Sequence, residues 1–240
     1  MKFFLRSCAI LALSLNLLAP GIAIAAPDKL VLATGNLSDA AAAVSIPVLT
    51  EAYQRLGIKL EVQPFPFGRS LLLANEGSVD GELYRIAGMQ TEYKNLVMVD
   101  VPIAMAEVAV FTNLPKLEPS FDNVRPYKLA YVRGSKLIEA TLQGYQTLPL
   151  TDCQQIAEML QAGRIEVALM DATAGRICLK QANVTGVRAL DPPLLRAPLY
   201  HYLNVKHQAL VPRVQAVLQT LEREGFVARE QAKVREKAGR

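Results

Sequence analysis

Short apolar segments alternate with segments of helical period along most of the chain, and this alternation restricts the fold more than any other feature. Residues 30–33 form a continuous apolar run that ends in a turn, as in a strand buried on both faces. Over residues 44–56 an apolar residue recurs every four positions, as on one face of a helix that ends at Gly57. Residues 152–163 and 165–172 then repeat a helix and a buried strand. The alternation predicts an α/β protein with mainly parallel sheets and right-handed crossovers.

The middle and the end of the chain add further predicted elements. They are a helix at about 69–75, a strand at 79–83, two strands at 96–99 and 107–112, and a returning strand within 197–206. The proline-containing residues 113–126 are typical of a connection between two lobes. An apolar face over 214–221 predicts a last helix that ends at Gly225, and the mostly charged residues after Phe226 are expected to fray.

The N-terminal residues 1–25 have the pattern of a secretory signal peptide. Lys2 and Arg6 precede an apolar run that is shorter than the roughly 20 residues of a membrane span. An A-x-A site then predicts cleavage near Ala25 or Ala26. Because no later segment is both long and apolar enough to cross a bilayer, we expect an exported, periplasmic protein.

The charge and the cysteines of the mature chain narrow its partners and its covalent links. The formal charge of the whole chain is +4, and it falls to +2 when Lys2 and Arg6 are removed, since no acidic residue precedes Asp28. This small excess gives no support for nucleic acid or an anionic membrane as a partner. Cys153 and Cys178 remain in a compartment that permits disulfides, and they form either a disulfide or two buried thiols.

No motif in the sequence indicates catalysis. Asp80 and Glu82 would share one face of a strand, but no nucleophile or metal ligand accompanies them, so a scaffold role is favoured over an acid/base pair. His201 and His207 are the two histidines of the chain, whereas a transition-metal site usually needs roughly three or four clustered ligands. We therefore expect a protein that is not an enzyme and carries no cofactor.

Five segments in order along the chain resemble the bilobal periplasmic solute-binding proteins. They read LANEGSVDGELYRIAG, YKNLVMVDVPI, LAYVRGS, LQAGRIEVALMDA and LYHYLNVKHQALVPRVQAVLQTLEREG. The resemblance is to the family 3 type, which includes the polar amino-acid receptors of bacterial ABC importers. It implies one lobe built from residues 27–112 and 200–240, a second built from 113–199, and two strands that cross between them as a hinge.

The same resemblance implies a function and its partners. A monomeric receptor of this type captures a small polar solute in the cleft, possibly an amino acid, and delivers it to an inner-membrane permease. A sensory module that reports to a signalling partner is the alternative, and a dehydratase-like enzyme on the same fold is a further one. Open α/β sheets bind ligands beyond the carboxyl ends of their strands, so the residues that follow each strand are the candidates for ligand contact.

Three candidates belong to the second lobe. By the resemblance, Asp171 binds the ammonium group of the ligand, although an Asp after a strand also suits a helix N-cap. Gly134 and Ser135 match a turn that donates N–H and hydroxyl groups to a carboxylate, and they are equally typical of an ordinary turn.

One position departs from the amino-acid receptors. Those proteins usually place a carboxylate-binding Arg at the segment that here begins with Glu92 and Tyr93. Arg85 could instead bind a ligand carboxylate in bidentate fashion, or it could pair with Glu82 on the surface.

Arg69, Tyr84 and Asn36 complete the candidates for ligand contact on the first lobe. Arg69 could reach the cleft, Tyr84 could stack on the ligand, and Asn36 follows the first strand. Each also has a structural alternative: a solvated helix residue, an aromatic residue that covers the core, and a turn residue, respectively.

Overall fold

The alternation of strands and helices is confirmed in the computed structural model, which describes residues 27–35, 37 and 39–238; the predicted signal peptide and Asn36 lie outside them. The strands are β1 (Lys29–Thr34), β2 (Lys59–Pro64), β3 (Gly81–Arg85), β4 (Leu96–Thr112), β5 (Leu129–Val132), β6 (Thr147–Leu150), β7 (Val167–Asp171), β8 (Arg188–Ala189) and β9 (Leu195–Asn204). The helices are α1 (Ala40–Arg55), α2 (Phe67–Glu76), α3 (Phe121–Val124), α4 (Lys136–Thr141), α5 (Cys153–Gln161), α6 (Ala172–Gln181), α7 (Val211–Arg223) and α8 (Phe226–Ala238). In this part of the chain no helix has the length and apolar character needed to cross a membrane.

The strands of the described residues pair into one mixed sheet in the order β2-β1-β3-β9-β4-β7-β5-β6, with β8 paired to β4. Parallel pairs join β1 to β2 and β3 at one end, and β5 to β6 and β7 at the other. Antiparallel pairs join β9 to β3 and β4, and β4 to β7. The sheet is therefore parallel toward both ends, and β4 and β9 run antiparallel at its centre.

Strand β4 is longer than the sequence predicted. The two separate strands expected at residues 96–99 and 107–112 belong to one strand of 17 residues. Its register against β9 shifts on both sides of Pro102, as expected where a residue has no N–H to donate to the ladder. Strand β4 therefore extends from one half of the sheet into the other, with β9 beside it.

Buried apolar side chains form separate groups on the two halves of the sheet. One group comes from β1, α1, β3, the first part of β4, β9 and α7. Two others come from the last part of β4, β5, β7 and helices α3 to α6. Each half therefore has a hydrophobic core of its own. Full burial of one large apolar side chain in such a core contributes about 1.5–3 kcal/mol to stability. Strands β4 and β9 contribute residues to both halves and connect them.

The expectation that the chain frays after Phe226 is wrong, because this segment forms α8 and packs against α1. Phe226, Val227 and Val234 add partly buried apolar surface to the core of the first half. These residues recur at helical spacing within an otherwise charged segment. Helix α8 is therefore stabilised by its contact with α1 and not by its own composition.

Cys153 and Cys178 form a disulfide, which decides between the two alternatives that the sequence left open. The sulfur atoms are 2.05 Å apart and the Cα atoms 6.4 Å apart. The bond joins the first residue of α5 to α6, and β7 with Asp171 lies in the segment between them. It therefore holds together the two helices that flank the end of β7.

Replacing both cysteines by Ala should lower the free energy of unfolding by about 3 kcal/mol. The disulfide closes a sequence separation of 25, and opening this loop returns conformational entropy to the unfolded chain. Urea unfolding with and without reductant measures the effect. Reductant should lower the midpoint of the natural chain and leave that of the double variant unchanged, whereas equal midpoints for the oxidised chain and the variant would contradict the prediction.

Candidate ligand-binding site

A cavity of about 90 Å³ lies where the two halves of the sheet face each other. Its polar lining comes from the ends of β3 and β7 and from the residues that follow β1 and β5. These residues are Asp39, Tyr84, Arg85, Ser135, Lys136 and Asp171, and Phe67 with several aliphatic side chains supplies the rest of the wall. A second cavity of about 80 Å³ shares Asp39, Ser135 and Asp171 with the first. Both cavities therefore adjoin the same two aspartates.

Asp39 lies on the first-half side of the cavity, and the sequence analysis did not identify it as a site residue. Its Oδ1 accepts a hydrogen bond from the Ala42 N–H at 2.6 Å and so caps α1. Its Oδ2 accepts one from the Tyr84 hydroxyl, also at 2.6 Å. Burial raises the pKa of Asp39, and the two hydrogen bonds and Arg85 oppose the rise. The sequence signal that could have identified Asp39 is its position between the buried strand β1 and helix α1.

Asp171 ends β7 and caps α6, so the alternative role that the sequence offered for it is present. Its Oδ1 accepts hydrogen bonds from the N–H groups of Thr173 at 3.0 Å and Ala174 at 2.9 Å. No donor among the described residues contacts Oδ2, and the side chain lines the cavity. Burial raises the pKa of Asp171 to about 7, and the charge of Asp39 adds to the rise. Capping and facing the cavity are compatible because they use different oxygens.

Arg85 is the last residue of β3 and is buried among groups of its own half. Its Nε donates to Glu82 Oε1 at 2.7 Å, and its Nη2 donates to Ser70 Oγ at 2.5 Å and to the Phe67 carbonyl at 3.2 Å. Arg85 therefore pairs with Glu82, as one of the two alternatives predicted. The pair does not lie on the surface, because both side chains are buried. Side chains three positions apart on a regular strand point to opposite faces. A register irregularity between Glu82 and Arg85 allows them to meet.

Glu82 holds Arg85 from a fully buried position. Burial raises the pKa of Glu82 to about 7, while the charge and hydrogen bond of Arg85 oppose the rise. Its Oε2 has no hydrogen-bond partner in the described part of the chain. Breaking a buried ion pair costs about 3–5 kcal/mol because it leaves an uncompensated charge. The pair therefore belongs to the fixed wall of the site.

The turn after β5 brings the second half close to the first. Gly134 has a φ of +84°, and a Cβ there would lie 3.0 Å from the backbone nitrogen of Gly68, so this approach requires glycine. The Gly134 N–H donates to Glu139 Oε1 at 2.7 Å. Ser135 precedes α4 and lines the cavity. The predicted turn therefore lies at the cavity, but its first N–H is already bonded within the second half.

Lys136 connects the two halves, and the sequence analysis did not identify it. Its Nζ lies 3.2 Å and 3.0 Å from the two carboxylate oxygens of Glu92, and 5.8 Å from the ring centre of Tyr93. The family resemblance implied an Arg at the place of Glu92 and Tyr93. Glu92 of this segment instead pairs with Lys136 of the other half. The sequence analysis could not identify this pair, because no local pattern connects two residues that are so far apart along the chain.

The remaining candidates have different places. Tyr84 is buried and lines the cavity, with its hydroxyl bonded to Asp39. Arg69 is exposed on α2 and does not line the cavity, and Asn36 lies outside the described residues. The candidates that the structure brings together around one cavity are Tyr84, Arg85, Ser135 and Asp171, with Gly134 beside them.

The two histidines have contacts that serve the scaffold. His201 is fully buried, with Nε2 2.7 Å from the Tyr53 hydroxyl and Nδ1 2.8 Å from the Glu82 carbonyl. Burial lowers the pKa of His201 to about 4. His207 Nε2 lies 2.7 Å from Asp80 Oδ1. Over residues 27–35, 37 and 39–238, no group of three or more His, Cys, Asp or Glu residues is arranged to hold a metal ion.

Known proteins match this chain in structure. No family model and no curated protein matches it in sequence. An ancestral arginine-binding protein bound to glutamine matches with a TM-score of 0.70 at 15% identity, over 89% of this chain and 98% of its own. The amino acid ABC transporter substrate-binding protein AbpA from Streptococcus pneumoniae, bound to L-arginine, matches at 0.68 and 14%, over 88% and 96%. A histidine kinase sensor domain with similarity to periplasmic binding proteins matches at 0.72 and 13%, over 85% and 95%.

The chain therefore has the bilobal α/β fold of the periplasmic binding proteins. The resemblance recognised in five sequence segments is confirmed at the level of the fold. Amino-acid-binding proteins and a sensor domain share this fold with it, at identities of 13–15%. Fold alone does not determine function, so the site residues have to carry the functional argument.

Proposed function

We propose that the chain is an exported, periplasmic solute-binding protein that captures a small polar ligand for an ABC-type importer. The observation that supports this function is a cavity with polar lining from both halves: Asp39 and Arg85 on one side, Ser135 and Asp171 on the other. A ligand in such a cavity contacts both halves only when they are closed over it. The structural likeness to AbpA and to arginine-binding proteins makes amino acids and related compounds the first ligands to test.

Capture in this proposal occurs by hinge closure. One lobe comprises residues 27–112 and 200–240, the other comprises 113–199, and β4 and β9 act as the hinge between them. Contacts to both lobes exist only in the closed state, so the ligand shifts the population toward closure by its differential affinity. The close approach of Gly134 to Gly68 would add to closure.

Ligand sensing for a signalling partner is a second function with support, because a histidine kinase sensor domain covers 85% of this chain at a TM-score of 0.72. Both functions use the same capture step and differ in the membrane partner. Uptake of radiolabelled ligand by cells that lack this chain distinguishes them. Lost uptake would support the importer, and unchanged uptake would support sensing.

Capture by closure is tested on the mature chain after unfolding and refolding to remove co-purified ligand. Its melting temperature is measured against amino acids, short peptides, polyamines and organic acids. A ligand at about 100 times its Kd should stabilise the native state by about 2.7 kcal/mol. The same ligand should reduce the radius of gyration in small-angle X-ray scattering. A chain that no compound stabilises, or that binds without becoming more compact, would contradict the proposal.

A further inference from the structure

A groove of about 450 Å³ lies between α1 and α8 of the first half and α6 of the second. It is much larger than the proposed solute cavity of about 90 Å³, and of the described residues it shares only Asp39 with that cavity. A further cavity of about 210 Å³ adjoins the groove, and both linings include Ala40, Thr173, Arg176 and Val234. Sites for small molecules have volumes of roughly 300–1,000 Å³, so the groove has room for a ligand of its own.

Helices α6 and α8 line the groove with the same pattern of side chains. Residues at positions i, i+3, i+4 and i+7 lie on one face of a helix. Each helix places a basic residue at i+3, an aliphatic residue at i+4 and a second basic residue at i+7. The two faces consist of Thr173, Arg176, Ile177 and Lys180 on α6, and of Glu230, Lys233, Val234 and Lys237 on α8. The groove therefore has aliphatic side chains flanked by basic ones on both halves.

The apolar side chains of the groove are exposed. Of the five large apolar side chains that are exposed in the described part of the chain, Leu37 and Ile177 line the groove, and Met105 lines the adjoining cavity. Leu37 precedes α1, Ile177 lies on α6 and Met105 on β4, so the fold gathers them from three distant segments. Contiguous exposed apolar surface of this kind marks interaction sites, whereas single exposed apolar residues do not.

The basic side chains of the groove are only partly neutralised. Asp39 is buried and accepts hydrogen bonds from its own half. Lys180 and Lys237 form no ion pair with any of the described residues, although both are exposed toward the groove. The ion pairs of the other two basic residues are Arg176–Asp191 at 3.2 Å and Lys233–Glu230 at 2.6 Å. One unpaired cation therefore remains on each half, and a ligand that complements both has to carry negative charge.

We propose that this groove is a second binding site, which takes a small amphipathic anion: a free carboxylate with an alkyl or aryl body. The carboxylate accepts charge-assisted hydrogen bonds from Lys180 and Lys237. The hydrocarbon body covers Leu37 and Ile177 and removes their apolar surface from water. Because the two lysines belong to different halves, the bound anion connects the halves outside the solute cavity.

Isothermal titration calorimetry of the mature chain tests the ligand class with octanoate, phenylbutyrate, octylamine, octanol and acetate. Octanoate or phenylbutyrate should bind about 10-fold or more tightly than octylamine and octanol, which have an apolar body but no negative charge. Acetate has the charge without the body and should not bind measurably. Added salt should weaken the binding of the carboxylates, because the lysines are exposed to solvent.

Equal binding of octylamine or octanol overturns the proposal, and so does absence of binding by both octanoate and phenylbutyrate. Neither result bears on the proposed receptor function, because the solute cavity has a different lining. Failure of the second site can thus be distinguished from failure of the receptor function, which the solute panel tests.

The location of the charge contact is tested by the double variant Lys180→Gln with Lys237→Gln. The affinity for the better-bound carboxylate should fall by about 10-fold or more. The matched control is Lys94→Gln with Lys128→Gln, because these lysines are also exposed but lie outside the groove. The control should bind as the natural chain does. An equal loss of affinity in both double variants would indicate a general effect of charge and overturn the site.

The apolar contact is tested by Ile177→Ser, with Leu72→Ser as its control. Both side chains are exposed on helices, and Leu72 does not line the groove. The Ile177 variant should lose about 10-fold in affinity for the carboxylate, and the Leu72 variant should lose none. Unchanged affinity in Ile177→Ser and in the lysine double variant would mean that the carboxylate binds elsewhere, which overturns the proposal.

Discussion

Replacing Asp171 by Asn is expected to raise the free energy of unfolding of the ligand-free protein by on the order of 2 kcal/mol at mildly alkaline pH. Burial, together with the charge of Asp39, raises the pKa of Asp171 from 3.8 to about 7. Between these two pKa values the folded state binds the proton and the unfolded state does not. Stability therefore falls as pH rises through this range, and the full penalty is present above the folded pKa. Asn carries no charge and so avoids the penalty.

Urea unfolding at about pH 8 and at about pH 4.5 measures this effect, since the gain should shrink as the pH falls below the folded pKa and the carboxyl of the natural chain becomes protonated in the folded state. The control Asp152→Asn makes the same chemical change at an exposed helix cap, where Oδ1 accepts the Gln155 N–H at 2.9 Å. Its stability should stay within about 0.5 kcal/mol of the natural chain at both pH values. An Asp171→Asn gain that does not depend on pH, or a loss at alkaline pH, would contradict the prediction.

The charge of Asp171 should have two opposite effects. The ligand contact that the family resemblance implied needs the charge, while the empty protein is destabilised by it. Conflicts of this kind are common where a site is kept ready for a ligand at the expense of stability. Loss of affinity together with a gain in stability would separate a binding role for Asp171 from a purely structural one.

Replacing Gly81 by Ala is expected to lower the free energy of unfolding by about 3 kcal/mol or more. Gly81 begins β3 and pairs with Leu203 of β9. A Cβ at this position would lie 2.2 Å from the backbone carbonyl oxygen of Tyr202 and 3.1 Å from Cα of Leu203. These atoms belong to the backbone of a central strand and cannot rotate away as a side chain could. Strands β3 and β9 would have to separate.

The matched control for this substitution is Gly68→Ala, because a Cβ at Gly68 meets no heavy atom within 4 Å. Gly68 is the second residue of α2, where Ala is a better helix former, so stability should stay within about 1 kcal/mol or rise slightly. Urea unfolding of both variants under one condition provides the comparison. Equal midpoints would show that β3 and β9 can adjust to the extra methyl group.

The architecture could be predicted because its signals are local in the sequence. The apolar run at residues 30–33 and the four-residue spacing over 44–56 correspond to β1 and α1. The apolar segment that ends in Asp171 corresponds to β7 and the cap of α6. Burial imposes a period of two on strands and about 3.6 on helices, so it can be recognised without knowing the partner element. Because β7 could be recognised in this way, Asp171 could be placed at the carboxyl end of a strand, where open α/β sheets bind ligands.

The bonding partners of the site residues could not be predicted in this way. Arg85 reaches Glu82 because β3 is irregular between them, and no residue type announces that irregularity. Lys136 pairs with Glu92 of the other half, and the two lie in segments that are distant in the sequence. Helix α8 was missed for a related reason, because its apolar residues are few and matter only once α1 is present to cover them.

By itself, the sequence determined that the chain forms an α/β fold of two halves, and that strand-end residues such as Asp171 and Ser135 lie near a common edge. Periodicity and turn chemistry depend on neighbours within about four positions, so these features can be derived without a tertiary structure. Only the tertiary structure decided which polar groups remain free at that edge. Arg85 donates to Glu82 and the Gly134 N–H to Glu139, and Asp171 Oδ1 accepts from two N–H groups. Asp171 Oδ2 accepts no hydrogen bond from the described residues, and the N-terminus of α4 at the cavity has no side-chain cap. That difference arises because a hydrogen bond is satisfied by whichever partner the fold brings within about 3 Å.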